Sequence, residues 1–163
     1  VFQNSDKREI SLFDEIETCR LYTQLESMRF VNKFNYIFKI DEVLDLKSIK
    51  VPALILQPFI ENAIWHGIMP KEDGGTVTVI VNRTDHQIQC IIDDDGIGRD
   101  VSKQNKFLIE SSAHESKGER LTQARLDLDN LLNERNASIQ ITDKKDENNK
   151  LCGTNIILRF NEY

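Results

Sequence analysis

The sequence has little of several things, and each shortage excludes something. No apolar run approaches the roughly 20 residues needed to span a bilayer, and no stretch reads as a signal peptide. There are three cysteines, Cys19, Cys90 and Cys152, widely spaced and without a CxxC pair. That pattern favours neither a disulfide framework nor a zinc site. It predicts three small apolar core residues in a reducing compartment. Basic residues are the minority, 21 Lys and Arg against 27 Asp and Glu, for a net charge of -6. A binder of the nucleic-acid backbone normally carries a basic stripe, so no nucleic-acid partner is expected. There is no internal repeat and no low-complexity tract.

What is present is the composition of a folded domain, 39% hydrophobic and 29% charged, at a length that suits about one domain. Val1–Ile10 reads as a polar lead-in. Ser11 and Asp14 have capping-box spacing with Asp in place of Glu. Leu12, Ile16, Cys19, Tyr22, Leu25 and Met28 then recur every three or four residues, an amphipathic helix whose opposite face carries Glu15, Glu17, Arg20, Gln24 and Arg29. The gaps, close to 3.5, also suit a stripe that continues an upstream helical bundle.

Phe34–Ile40 alternates as a strand, with Ile37 on its polar side. A helical pattern resumes at Val51–Pro52, where Pro52 suits a first turn. Pro58 either kinks that helix or starts its second half, and Gly67 ends it in the left-handed position. Thr76–Asn82 and Gln87–Asp93 form a β-branched hairpin across Arg83–His86. Arg99–Ala113 lacks a clean period and reads as a loop. Ser116 and Glu119 have capping-box spacing ahead of the stripe Leu121, Ala124, Leu128 and Leu131, with Arg120, Arg125 and Arg135 on the solvated face. Ala137–Thr142 and Cys152–Phe160 are the closing strands. The order predicts an α+β fold: a two-layer sandwich with a mixed, mostly antiparallel sheet and about three helices on one face.

Four clusters could carry chemistry. In Gln57–Gly67 (QPFIENAIWHG), Glu61, Asn62 and His66 interrupt an otherwise apolar helix. An unpaired buried polar group costs about 1–3 kcal/mol, so such residues are seldom placed there idly. Asn62 and His66, four apart, share a helix face. A carboxamide oxygen suits Mg²⁺, which binds through one or two protein groups plus phosphate oxygens. Glu61 beside it could orient or deprotonate an attacking group. Asp94, followed by Gly96 and Gly98, ends a strand where a carboxylate could accept from an adenine amine. Alternating EF-hand spacing is absent from Asp93-Asp94-Asp95, which disfavours a Ca²⁺ loop. Lys117 and Gly118 precede a helix, whose start attracts phosphate. Gly153-Thr154 opens the last strand. Each cluster alone also fits an ordinary cap or turn.

Together, in this order, they resemble the GHKL ATP-binding fold, and LQPFIENAIWHG with YTQLESMRF resembles the LytS-type sensor histidine kinases of bacteria. The resemblance runs from about Ser11 to Phe160. It implies that Asn62 coordinates Mg²⁺, with catalysis by Glu61 and Asn62. It implies that Asp94 reads adenine, and that His66, Gly96, Gly98, Lys117, Gly118, Leu121, Gly153 and Thr154 complete an ATP site. Trp65 stands where many relatives carry Lys, and the lid box Gly118-Glu119-Arg120-Leu121 has a single glycine. The family's phosphoacceptor histidine lies in an upstream PHFxFN segment that these 163 residues do not contain. With Val1 in place of Met, a fragment of a longer protein is expected. Residues 1–32 would be lead-in and a helix continuing its dimerisation and phosphoacceptor region, and 33–163 the ATP-binding domain.

The implied function is transfer of the γ-phosphate of Mg-ATP to a histidine outside the fragment, for relay to a response regulator of LytTR type. The implied parent is a homodimer at the inner membrane, with this domain cytoplasmic and making no membrane contact. Two alternatives stay open: an ATP-gated clamp of the gyrase or mismatch-repair type, and a degenerate, non-catalytic interaction module.

Overall fold

Alternation of β-branched residues builds the centre of the sheet. In a computed structural model describing residues 9–98, 128–131 and 133–162, the elements in chain order are β1 (Glu9–Ser11), α1 (Leu12–Arg29), β2 (Phe34–Ile40), β3 (Lys50–Pro52) and α2 (Gln57–Asn62). A π-helical segment, Ala63–Ile68, continues α2, followed by β4 (Gly75–Thr84), β5 (Gln87–Asp94), β6 (Ser138–Lys145) and β7 (Leu151–Asn161). The five-stranded sheet runs β2-β4-β5-β7-β6. β2 pairs parallel with β4, and the remaining pairs are antiparallel. β1 and β3 form a separate two-stranded ribbon. This is the expected α+β sandwich with a mixed sheet.

One face of the sheet presents Val77, Val79 and Val81 from β4, Ile88, Cys90 and Ile92 from β5, and Leu158 and Phe160 from β7, all buried. Against them pack Leu12, Ile16 and Cys19 of α1, Ile60, Ile64 and Ile68 of the second helix, and Leu131 from the helical residues near 131. Burying each such side chain contributes about 1.5–3 kcal/mol before entropy is counted. Asp85 and His86, both at positive φ (52° and 68°), make the two-residue turn between β4 and β5. Cys19 and Cys90 are core residues as expected, and Cys152 is half-buried.

Several expectations fail for physical reasons. Ser11 does cap α1, accepting from Asp14 N–H at 3.0 Å, but the buried stripe is Leu12, Glu15, Ile16, Cys19, Thr23 and Glu26. Successive steps of three, as in Cys19, Tyr22, Leu25 and Met28, drift about 60° per step around a helix of 3.6 residues per turn. The apolar series therefore leaves the core face, and Leu25 and Met28 end 52% and 65% exposed. Glu15, placed on the solvated face by the sequence, is only 1% exposed.

The lead-in contains β1, and Val51–Pro52 lies in β3, not in a helix. The second helix begins at Gln57, with Pro58 in its first turn. Gly67 does not end it; the helical path continues to Ile68. Arg135 is not a solvated helix residue. Its guanidinium donates to Asn161 O, Glu162 O and Lys50 O and lies over the Phe160 ring. The loop and cap expected at 99–121 lie outside the described residues.

Candidate nucleotide site

The candidate site is where the core rows of two strands turn polar. On β5 the buried positions are Ile88, Cys90, Ile92 and then Asp94. Strand alternation thus forces the carboxylate to face the helices like the residues before it. On β7, Phe160, Leu158, Ile156 and Thr154 make the matching row, and Thr154 is paired with Asp94. From the other layer, Phe59, Asn62, Ala63 and His66 recur at the spacing of one helix face. Between the layers lies a cavity of about 260 Å³, bounded by these residues with Gly67, Gly98 and Ile141.

Asp94 is 5% exposed. Burial pushes its carboxyl up to about 6, against the lowering effects of the Gly96 N–H, the nearby Lys144 ammonium and a backbone bond from Thr154. Its Oδ1 accepts from Gly96 N–H at 2.9 Å. The three consecutive aspartates are dealt to different jobs. Asp93 accepts from Lys144 Nζ and Asn155 Nδ2, both at 2.8 Å. Asp95 accepts from Thr76 N–H at 2.6 Å, tying the start of β4. Only Asp94 faces the cavity. No cluster of three or more His, Cys, Asp or Glu able to hold a metal occurs among the described residues.

Glycine allows the layers to meet here. A Cβ on Gly96 would lie 2.2 Å from the Gly67 carbonyl group, and one on Gly67 would lie 2.8 Å from Asp94 Oδ1. Ile97 N–H donates to Gly67 O at 2.9 Å across this contact. Gly67 thus serves close approach rather than a helix stop. Met69 N–H reaches Ile64 O at 2.8 Å, the π-type bond that lets the helix carry His66 and Gly67 toward β5.

The structure therefore brings Asn62, His66, Asp94, Gly98 and Thr154 together around one cavity. Gly96 and Gly153 stand beside it as packing positions; a Cβ on Gly153 would lie 2.1 Å from Asp94 O. Glu61 is buried and outside the lining, and it is the smallest of the influences, after burial, Glu15 and Cys90, that push the Cys19 thiol of α1 upward. Trp65 turns to α1, its Nε1–H donating to the Tyr22 hydroxyl at 3.0 Å and its ring edge-on to Phe30 at 5.4 Å. Lys117, Gly118 and Leu121 lie outside the described residues.

Over 95 residues the chain is 34% identical to the sensor histidine kinase YpdA of Escherichia coli, covering 58% of this chain and 16% of YpdA. It is 32% identical to YwpD of Bacillus subtilis over 109 residues, 66% of this chain and 37% of YwpD. Against the sensor histidine kinase/phosphatase LytS of Staphylococcus aureus it is 28% identical over 115 residues, 70% of this chain and 19% of LytS. Its fold matches the catalytic domain of histidine kinase ThkA with a TM-score of 0.58 at 16% identity, covering 94% of this chain and 95% of that one. The chain is thus similar in sequence to sensor histidine kinases, LytS among them, and has the GHKL fold of histidine kinase catalytic domains. A second structural match is Acinetobacter baumannii histidine kinase AdeS, with a TM-score of 0.56 at 11% identity over 94% of this chain and 66% of that one. No protein-family model matches the chain. It spans from about a sixth to little more than a third of the length of these curated relatives.

Sequence reasoning missed the apolar wall of this GHKL cavity. Phe59 was readable as three residues before Asn62 on the same helix face. Ile141 and Ile156 face each other across β6 and β7, and were legible only as a strand-pair register. Among the described residues, no helix is long and apolar enough to cross a membrane.

Proposed function

We propose that this chain is the ATP-binding catalytic domain of a two-component sensor histidine kinase. It would present the γ-phosphate of Mg-ATP to a histidine outside these residues, for relay to a response regulator of LytTR type. The observation that carries the reading is a buried carboxylate, Asp94, at the floor of an apolar cavity whose other wall bears Asn62 and His66. The cavity is at or just below the small end of the ~300–1,000 Å³ usual for ligand pockets, a size for a flat base rather than a whole nucleotide.

The donor set suits the group. Asp94 would accept from the exocyclic amine of adenine, with Phe59, Ile141 and Ile156 against the base. Asn62 would give its carboxamide oxygen to Mg²⁺, and a metal held mainly by phosphate oxygens needs no cluster of acidic ligands. Mg²⁺ supplies charge neutralisation along the triphosphate. This chain's residues bind and orient, which is most of what phosphoryl transfer asks of a protein. His66, Thr154 and Gly98 line the remainder, and Lys117, Gly118 and Leu121 are assigned to the lid. Glu61 would act from behind Asn62. We place the parent protein as a homodimer at the inner membrane with this domain in the cytoplasm.

Calorimetric titration with Mg-ATP tests the reading. Saturable, Mg-dependent binding is expected, abolished by Asp94→Asn and weakened by Asn62→Ala, with no phosphohistidine formed on this chain alone. No Mg-dependent binding, or Asp94→Asn equal to wild type, sinks it. Steady ATP hydrolysis by the longer protein without phosphohistidine would point to a clamp ATPase instead.

A further inference from the structure

The helix that carries Asn62 and His66 has no cap of its own. Its N-cap residue, Leu56, offers no side-chain acceptor, and Pro58 in the first turn has no N–H to offer. The turn before it holds Leu54 at φ 65°, a left-handed conformation that leucine adopts only under constraint. The first N–H groups of a helix need partners. Those of Phe59 and Ile60 bond to Leu56 O, while the N–H groups at and just before the start, of Leu54, Leu56 and Gln57, are met by one side chain about 40 residues upstream. Glu15 Oε1 accepts from Leu54 N–H at 3.1 Å, and Oε2 from Leu56 N–H at 2.9 Å and Gln57 N–H at 3.2 Å.

Glu15 belongs to α1, and α1 grips the same helix a second time. Tyr22 accepts from Trp65 Nε1–H at 3.0 Å, and Phe30, at the C-terminal cap of α1, meets the Trp65 ring edge-on. Neither Glu15 nor Trp65 lines the cavity. The site helix is thus held from behind at its start and again beside His66, while its other face forms the cavity wall.

We propose that Glu15 is a positioning residue for the nucleotide site, fixing the start of the site helix so that Asn62 and His66 stand at the cavity. The consequence is a route of control: displacement of α1 moves the site helix. This rests on the nucleotide reading above, and the test separates the two.

Mg-ATP affinity is measured by calorimetry on wild type, Glu15→Gln, Glu15→Asp and Ile16→Ala, well below each melting temperature. Ile16 is the next residue of α1, equally buried but packed only in the core. It is the control for loss of stability as such. Glu15→Gln, which turns an amide NH₂ toward backbone donors, should weaken binding about ten- to a hundredfold, the range for groups that orient a ligand from behind. Glu15→Asp should retain part of the affinity, and Ile16→Ala should keep it while lowering the melting temperature. Amide exchange at residues 54–62 should quicken in Glu15→Gln and Glu15→Asp with β4 and β5 unchanged.

Wild-type affinity in a folded Glu15→Gln overturns the proposal, as does an equal loss in Ile16→Ala. If Glu15→Gln does not fold, Glu15→Asp decides by the same criteria. If wild type binds no Mg-ATP, the nucleotide reading fails by itself. Exchange then decides the anchoring alone, and unchanged protection at 54–62 overturns it.

Discussion

Among the buried carboxylates, two do opposite things. Glu15 and Asp94 are both almost inaccessible to solvent, and burial raises the pKa of both. Glu15 spends its oxygens on three backbone N–H groups and does not line the cavity. Asp94 accepts from Gly96 N–H and faces open volume. A buried acid whose lone pairs are used up is a clamp; one facing a cavity is a binding group. The separation can be broken or sharpened by experiment.

The largest effect should come from Glu15→Ala. Three donors, two of them buried, would be left without an acceptor, at about 1–3 kcal/mol for each buried one with partial relief by water. A loss of roughly 3 kcal/mol or more in urea unfolding is expected. A loss under about 1 kcal/mol would mean that the start of the site helix does not depend on this side chain.

Asp94→Asn should do the reverse to stability. The carboxyl is pushed from its ordinary value of 3.8 up to about 6, so its charged form is disfavoured in the folded state. Neutralising it should stabilise the fold at pH 7–8 by up to ~3 kcal/mol, since each pKa unit is worth about 1.4 kcal/mol. The amide keeps an acceptor for Gly96 N–H but presents a donor toward an adenine amine. Affinity for Mg-ATP should fall by about a hundredfold or more, the scale of one buried acceptor lost together with a donor set against a donor. A variant that is more stable and does not bind nucleotide would mark Asp94 as a residue kept for function. A variant less stable than wild type would put it with Glu15.

Gly96→Ala probes the ground between them. The new Cβ would collide with the Gly67 backbone, so either the loop after β5 or the helix must move. A destabilisation of about 1–3 kcal/mol, as for overpacking, is expected together with weaker nucleotide binding. Thermal unfolding and titration on one sample check both.

How much of this was legible in the sequence follows from whether partners are local. The hairpin β4–β5 was readable because its partners are near in sequence and its β-branched alternation is regular. The Ser11 cap was readable because its donor, Asp14 N–H, is three residues away. Asn62, His66 and Asp94 were found as polar breaks in apolar patterns, and the fold does gather them. β1 and β3 were missed because each is three residues long and their partners lie about 40 residues apart. The apolar string before Gln57 reads as helix in the sequence, since composition alone does not separate a short buried strand from a buried helix. Glu15 was the costliest miss. Its acceptor role exists only because α1 is laid across the start of a distant helix, and on a helical wheel it looks like any charge flanking an apolar stripe.

The smallest expected effect is the most specific, because it concerns a proton. Adenosine, which has no titrating phosphate, should bind the ionised form of Asp94. With the carboxyl near 6 in the free protein, affinity should be level above about pH 7 and fall toward tenfold per pH unit below 6. At pH 5 the loss should be roughly tenfold against pH 8, about 1.4 kcal/mol. Stability runs the other way. A carboxyl with a raised folded pKa favours folding most below its unfolded value, and that advantage is lost as pH rises through the folded value. Between pH 4 and 6 the free protein should therefore gain stability from this group on acidification while losing adenosine. Asp94→Asn should remove the affinity slope and this group's share of the stability slope, with Glu15 keeping its own, whereas Ile16→Ala should leave both in place. An affinity flat from pH 8 to pH 5 would mean that the Asp94 carboxylate is not the group that meets the base.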